Sequence, residues 1–494
     1  MIISYYSEIV YLIKLAFYPF FFFPEKLTNF LSYNIIHHLL ITMINRLPEA
    51  QITTTARMFG LPGESRVIES RMPVTLDDSL GVESIVRKYK YLIGRGSHEA
   101  TGTPSTEMAI VANPVDKGFV SYTEDFWGRP IYLEPVDLLT FDPAQMTEIM
   151  NRLNTQSPVL HYGIYRIPYL PSKQQVIQND DYRQFNAKGR LSSIVPGAYL
   201  PEHLLLFDPL FSDRYQNFPT ARPFSKLTER DLTLLMQEDD FAVAKEASGD
   251  LMGGDGVARV SSLAEIKAFR EKLMGMGVKD TTLVIEKKLD LETGGSFSLV
   301  KSRSGEISLL GVTRQLSDQK TGLRVGNVIY DQSSASEDYM TMIAEVLEGL
   351  TTNPESEGIA GFFVFDTMRD QAGNLVINDP ANRQTGTTSS AQMRLKLIRE
   401  HGLNAPDVVV GMAQPLLVPG TDFSKMFQAL HRAKLTTWCG DRQVVVRSFY
   451  NDNGERPVAQ FALVTSDEGK LSSITTEIAD VLTKADIFVE WHLK

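Results

Sequence analysis

The chain has a single cysteine in 494 residues, Cys439, and that scarcity excludes several constructions at once. No intrachain disulfide can form and no zinc site can be built from thiolates. Without a disulfide framework the expected compartment is the reducing cytoplasm. Positive charge is also in short supply: 49 Lys and Arg stand against 60 Asp and Glu, a formal net charge of −11. A nucleic-acid partner would need a basic face to displace counterions from phosphates, so none is expected. A nucleotide substrate is still compatible, because a few local cations can hold its phosphates. No Gly-Lys-Ser or Gly-Lys-Thr occurs, which removes the P-loop NTPases. No Gly-x-Ser-x-Gly or His-Glu-x-x-His occurs either, so no nucleophile elbow or zincin helix is present. Apolar residues at 43% and charged residues at 22% are the profile of a well-cored globular protein. The length suffices for two to four domains.

The first fifty residues depart from that profile. Met1 to Phe23 is almost wholly apolar, broken by Glu8, Lys14 and Pro19, and Leu27 to Leu47 carries only Arg46 as a formal charge. A spanning helix needs about 20 apolar residues, and a central Glu or Lys costs roughly 2.5–3.5 kcal/mol on insertion. The basic leader and small-residue cleavage site of a secretory signal are both missing. Three descriptions of residues 1–47 stay open: a membrane-associated anchor, a docking helix pair, or an upstream extension with the start near Met43 or Met58.

Residues 51–181 read as a small α/β domain. Glu107–Asn113 is a short buried strand, Pro143–Asn154 has helical spacing, and Val159–Tyr169 alternates as a strand. A new unit begins at Tyr182. Pro201, Pro209, Pro219 and Pro223 mark a long loop or excursion, and Leu227–Gln237 is a helix. Phe241–Lys245 is a strand, followed by a glycine-rich loop and a helix over Ser262–Met274. Strands are predicted at Thr281–Lys288, Ser296–Lys301 and Ile307–Val312, and a helix at Asp338–Gly349. Gly361–Met368 and Asn374–Asn378 make a hairpin about Asp370–Gly373. Residues 405–494 form an α+β appendage, with a strand near VVVGM, a helix at Phe423–Ala433, a strand QVVVRSF and a helix at Ile474–Ala485.

Three elements carry chemistry. The first is Lys245 at a strand end, followed by Gly253, Gly254 and Gly256. Such a loop lets backbone N–H groups approach phosphate oxygens, with the lysine as a point charge beside them. The second is Glu286, which closes the apolar strand LVIE and can accept from an adenine exocyclic amine. The third is the acidic hairpin. Asp366 ends GFFVF, Asp379 ends the return strand thirteen positions later, and Pro380, Ala381, Asn382 and Arg383 follow. Two carboxylates at opposed strand ends can share a cation. Mg²⁺ takes one or two carboxylates plus substrate phosphates. Asn382 adds an amide oxygen, and Arg383 a planar cation for phosphate or carboxylate.

Lysine, glycine loop, hinge acid and acidic hairpin, in that order, resemble the nucleotide site of the ATP-grasp superfamily over about Tyr182 to Ser390. The resemblance implies an α+β fold in which ATP and Mg²⁺ lie between two lobes over residues 182–395. An α/β domain precedes it and an appendage follows. It implies that Lys188 in FNAKGRL and Lys245 hold phosphates, that Gly253, Gly254 and Gly256 close over them, and that Glu286 and Leu289 form the adenine hinge. Asp366, Asp379 and Asn382 become metal ligands and Arg383 the phosphate or acyl-phosphate contact. The family pattern Glu-x-Asn is here Asp379 and Ala381, so Asn382 fits only with a one-residue shift, and Glu292 is a displaced substitute for the ribose acid. Arg314 in GVTRQL has two uses open, a further phosphate contact or a surface ion pair. The three-part layout is similar to stand-alone peptide ligases of secondary metabolism. The implied activity is amide formation between a small-molecule or peptide carboxylate and an amine through an acyl phosphate. A kinase or carboxylase on the same cradle, and a non-catalytic nucleotide-binding module, are the alternatives.

Overall fold

The computed structural model describes residues 67–70, 108–111, 115–128, 130–135 and 160–162, and then, with short breaks, 185–491. The apolar N-terminal segment and the helix expected at Pro143–Asn154 lie outside the described residues. Among the described residues no helix is long and apolar enough to cross a membrane.

The first sheet is parallel throughout. Strands β1 (Val67–Ser70), β2 (Met108–Val111), β3 (Tyr132–Pro135) and β4 (Leu160–Tyr162) run in the order β3-β2-β1-β4, with helix α1 (Lys117–Trp127) between β2 and β3. Parallel pairing requires a crossover, and α1 provides one. Asp116 caps its N-terminus by accepting from the Gly118 and Phe119 amides.

The second sheet contains β5 (His203–Phe207), β6 (Ala221–Pro223), β7 (Ala242–Glu246), β8 (Val257–Val260) and β9 (Leu283–Glu286), in the order β6-β5-β9-β7-β8. Helices α2 (Glu229–Met236) and α3 (Leu263–Gly275) cover one face through Leu206, Ala242, Ala244, Val260, Leu283 and Ile285. Thr228 and Asp231 form a capping box at the start of α2. The proline-marked stretch expected to be a long loop or excursion contains β5. The reason is visible in HLLLF: prolines flank the strand without entering it, where no ladder hydrogen bond is lost.

The third sheet has ten strands. They are β10 (Leu291–Lys301), β11 (Ile307–Ser317), β12 (Arg324–Tyr330), β13 (Gly361–Asp370), β14 (Leu375–Pro380), β15 (Val409–Ala413), β16 (Pro415–Leu417), β17 (Arg442–Asp452), β18 (Arg456–Thr465) and β19 (Phe488–Trp491). The path is β14-β13-β10-β11-β12-β15-β18-β16-β19, with β17 also on β18. Helix α4 (Glu337–Thr352) packs on one face, against Phe297, Leu299, Phe363, Phe365 and Ile377. The opposite face carries α5 (Gly386–His401), through Ala391, Met393 and Leu397 against Ile329 and Val410. Helices α6 (Phe423–Arg432) and α7 (Leu471–Lys484) close a further core that includes Phe119 of α1. The segment expected as an appendage after residue 405 therefore shares this sheet, because β15 bonds to β12 at Val328–Gly411 and Ile329–Val410.

Candidate functional site

Lys245 and Glu286 lie on the face of the five-stranded sheet that the helices leave uncovered. Strand alternation explains this: Ala244 and Ile285 point into the helix-covered core, so their neighbours Lys245 and Glu286 point away. Facing them is the edge of the ten-stranded sheet, where β14 ends. The Lys245 ammonium meets Glu286 Oε2 at 2.6 Å and donates to the main-chain oxygen of Asn378 at 2.8 Å. One side chain therefore ties the two sheets together. Both partners are buried, Lys245 at 7% exposure and Glu286 at 8%. Burial pushes the Glu286 carboxyl above its ordinary value, more than Lys245 pulls it down, and Asp379 adds to the rise.

Lys188 opens a short 3-10 helix, Lys188–Ser193, wedged between the lobes. Gly189 donates to Ala247 O beside β7, while Leu191 and Ile194 enter the core under α4. That placement brings the Lys188 ammonium to 3.3 Å from Asp379 Oδ1. The two lysines thus converge on successive residues of one hairpin.

The hairpin has the predicted form. Gly373, at φ 86°, makes the turn, and the Asp370 carboxylate accepts from the Asn374 amide. Asp366 and Asp379 are register partners across β13 and β14. Asp366 in turn pairs with Ser296 of β10, and Ser296 with Thr313 of β11. The Ser296 and Thr313 hydroxyls are 2.6 Å apart, which puts them on one face. Phe365 and Phe297, one position away, face α4 instead. A row of oxygen-bearing side chains therefore crosses four strands on the face opposite α4.

The donor chemistry suits a hard divalent cation. Asp379 Oδ1 and Asn378 Oδ1 are buried acceptors without a hydrogen-bond partner. Lys188 nears the first of them at ion-pair distance without the angle of a hydrogen bond. Two facing carboxylates and orphaned oxygens form the kind of set Mg²⁺ completes with phosphates and water. Among the described residues no cluster of three or more His, Cys, Asp or Glu side chains that could hold a metal is present.

The other expected residues are distributed unevenly. Gly256 is buried at the entry to β8, and Leu289 sits half-buried between β9 and β10. Glu292 is the extra residue where the β10–β13 register shifts between Leu291 and Thr293. Gly253, Gly254, Asn382 and Arg383 lie outside the described residues. Arg314 belongs to a different group: its guanidinium pairs with Glu468 and donates to the Tyr330 hydroxyl, so of its two uses the structure presents the surface ion pair. Glu286 was read as an exposed strand end or as an acceptor for adenine; the strand end is buried rather than exposed, with Oε2 of the carboxylate on Lys245. Sequence reasoning passed over Asn378, whose main-chain oxygen receives Lys245. Its position beside Asp379 was the available signal.

No protein-family model and no curated protein matches the chain. Among solved structures it is similar to an ADP complex of N5-carboxyaminoimidazole ribonucleotide synthetase, at 11% identity over 86% of this chain and 98% of that one, TM-score 0.48. It is also similar to an L-amino acid ligase from Bacillus licheniformis, at 11% identity over 87% and 99%, TM-score 0.44. The biotin carboxylase domain of a Hydrogenobacter thermophilus 2-oxoglutarate carboxylase, with MgADP and bicarbonate, is a third, at 8% identity over 87% and 90%, TM-score 0.47. Likenesses this loose leave the functional reading to the residues of the chain itself.

Proposed function

We propose that this chain is an ATP-grasp ligase that activates a carboxylate with ATP and passes the acyl group to an amine. The observation that carries the reading is the convergence of Lys245 and Lys188 on the acidic hairpin, where the face of the small sheet away from α2 and α3 meets the edge of the large one. Cations from the walls and carboxylates from the floor are the fittings of a Mg–triphosphate site. Lys245 and Lys188 would turn from Asn378 and Asp379 to the phosphates. Burial beside Glu286 holds the Lys245 ammonium where water cannot compete for it. Asp366 and Asp379 would hold Mg²⁺, which supplies charge neutralisation at the phosphates. Main-chain groups of the 286–289 segment, including Leu289, would meet the adenine edge, with Glu286 Oε1 as a further acceptor beside them. Gly253, Gly254 and Gly256 would close over the phosphates, and Arg383 would meet the transferred group.

The chemistry asks little of the protein beyond position and charge. A carboxylate oxygen attacks the γ-phosphorus, the bond from phosphorus to the bridging oxygen breaks, and ADP leaves. An amine then attacks the acyl carbon, the bond from carbon to the phosphate oxygen breaks, and phosphate leaves as the amine sheds a proton to solvent. Peptides or small molecules bearing a carboxylate and an amine are the substrate class.

Oxygen labelling tests this. With ¹⁸O in the substrate carboxylate, one labelled oxygen is expected in released phosphate. ADP should accumulate, and hydroxylamine should trap the intermediate as a hydroxamate. AMP and pyrophosphate would mean adenylation, and ADP with all label kept in the substrate would mean kinase-like transfer. Either result overturns the ligase reading. Nucleotide binding without turnover across a panel of carboxylates and amines would leave a binding module.

A further inference from the structure

The register of the acidic hairpin breaks at one place. Phe365 pairs with Pro380 and Asp366 with Asp379, but Thr367 pairs with Ile377, so one step along β13 spans two along β14. Asn378 is the extra residue, and it stands with Asp379 against Asp366. A bulge of this kind bends its strand and re-aims side chains that strict alternation would send to opposite faces. The strand is pinned there from across the cleft, because the Asn378 main-chain oxygen accepts from Lys245 at 2.8 Å. Its side-chain oxygen has no such partner. Asn378 Oδ1 and Asp379 Oδ1 are both buried without a hydrogen bond. A buried acceptor that has given up water and gained no donor is destabilising. Asn378 Oδ1 is such an acceptor, and Asp379 Oδ1 beside it has only the Lys188 ammonium at ion-pair distance, 3.3 Å; with Lys188 turned to a phosphate, one cation opposite Asp366 would satisfy both.

The sequence around the bulge points the same way. At Ala381, where the family resemblance asks for an amide oxygen, the side chain is a methyl group. An amide oxygen is a neutral hard donor that divalent cations accept beside carboxylates. We infer that Asn378 is the third protein oxygen of the cation site formed by Asp366 and Asp379, brought there by the β14 bulge in place of a residue beyond Pro380. The inference rests on the proposed nucleotide site.

The test is Mn²⁺ titration followed by electron paramagnetic resonance, with a non-hydrolysable ATP analogue present, so that turnover plays no part. Wild type is compared with Asn378→Leu, Asn378→Asp and Asn382→Ala. Asn378→Leu should weaken Mn²⁺ about tenfold, the scale of one charge-assisted contact, while affinity for the analogue without metal stays constant. Asn378→Asp, which keeps an oxygen, should hold Mn²⁺ at least as well as wild type, and Asn382→Ala should match wild type. Unchanged Mn²⁺ affinity in Asn378→Leu overturns the inference while the nucleotide site stands. Equal loss in Asn378→Leu and Asn378→Asp would assign the residue to holding the bulge and overturn it as well. A wild-type protein that binds no analogue would remove the nucleotide reading and the inference with it.

Discussion

Replacing Lys245 with methionine keeps most of the buried stem and removes only the ammonium, so its effect can be worked from two contacts. The change deletes the 2.6 Å pair to Glu286 and the 2.8 Å hydrogen bond to Asn378 O. Breaking a buried ion pair from one side costs about 3–5 kcal/mol when the remaining charge has no escape. Glu286 has an escape, because it can take up a proton. Its carboxyl is already raised above 4.5 by burial, with Lys245 opposing the rise. A raised carboxyl contributes stability that is full below its unfolded value and is lost as pH climbs through the folded one. Without Lys245 the folded value rises further, so the loss relative to wild type must grow with pH. Urea unfolding should find the two proteins closest near about pH 5 and the full penalty of about 3–5 kcal/mol near pH 8. Calorimetric ATP binding by the folded variant should weaken by about 1.5–3 kcal/mol, at least tenfold. A stability difference that is flat from pH 5 to 8 would refute the account of Glu286. Unchanged ATP affinity would refute the phosphate role.

Two further changes probe the frame of the site. Asp366→Asn and Asp379→Asn should each abolish Mg²⁺-dependent ATP turnover, with the double variant little worse than either single one, because ligands of one ion act as a unit; two small additive losses in a turnover assay would mark both as surface acids. Gly349→Ala would place a methyl carbon 2.0 Å from the main-chain oxygen of Ile194. Overpacking should cost about 1–3 kcal/mol and, by displacing the segment that carries Lys188, weaken ATP binding; wild-type melting temperature and affinity would show that α4 and this segment are not in contact.

The parts of the site that could be read from the sequence are those whose causes are local. The acidic hairpin was legible because an apolar run ends on Asp366, Asp370 and Gly373 supply the turn, and a second apolar run ends on Asp379. Lys245 was legible at the end of FAVAK before the glycine loop. What stayed hidden depends on distant chain. Glu286 looks like an exposed strand end until β14 arrives to cover it, and the Lys245–Asn378 contact spans 133 residues. Helix α5 went unseen because it opens with Thr387, Thr388, Ser389 and Ser390. These residues favour turns when exposed, but here they are buried. Strand β12 and strand β18 were missed as well. Their apolar residues are buried on both faces by helices distant in the sequence or following the strand, so no clean alternation marks them.

The shared sheet also constrains how the protein emerges from the ribosome. Once translation has passed Pro380, both lysines and both aspartates exist, yet β12 shows an open edge, because its partner β15 is still to be made. β15 in turn pairs along its whole length with β18, which ends at Thr465. At about 5–20 residues per second, a nascent chain holds an unpaired, Val- and Ile-bearing edge for on the order of ten seconds. Such an edge templates pairing with other chains. Newly made chains therefore need shielding during that interval, and expression of a fragment ending near residue 400 would make the interval permanent.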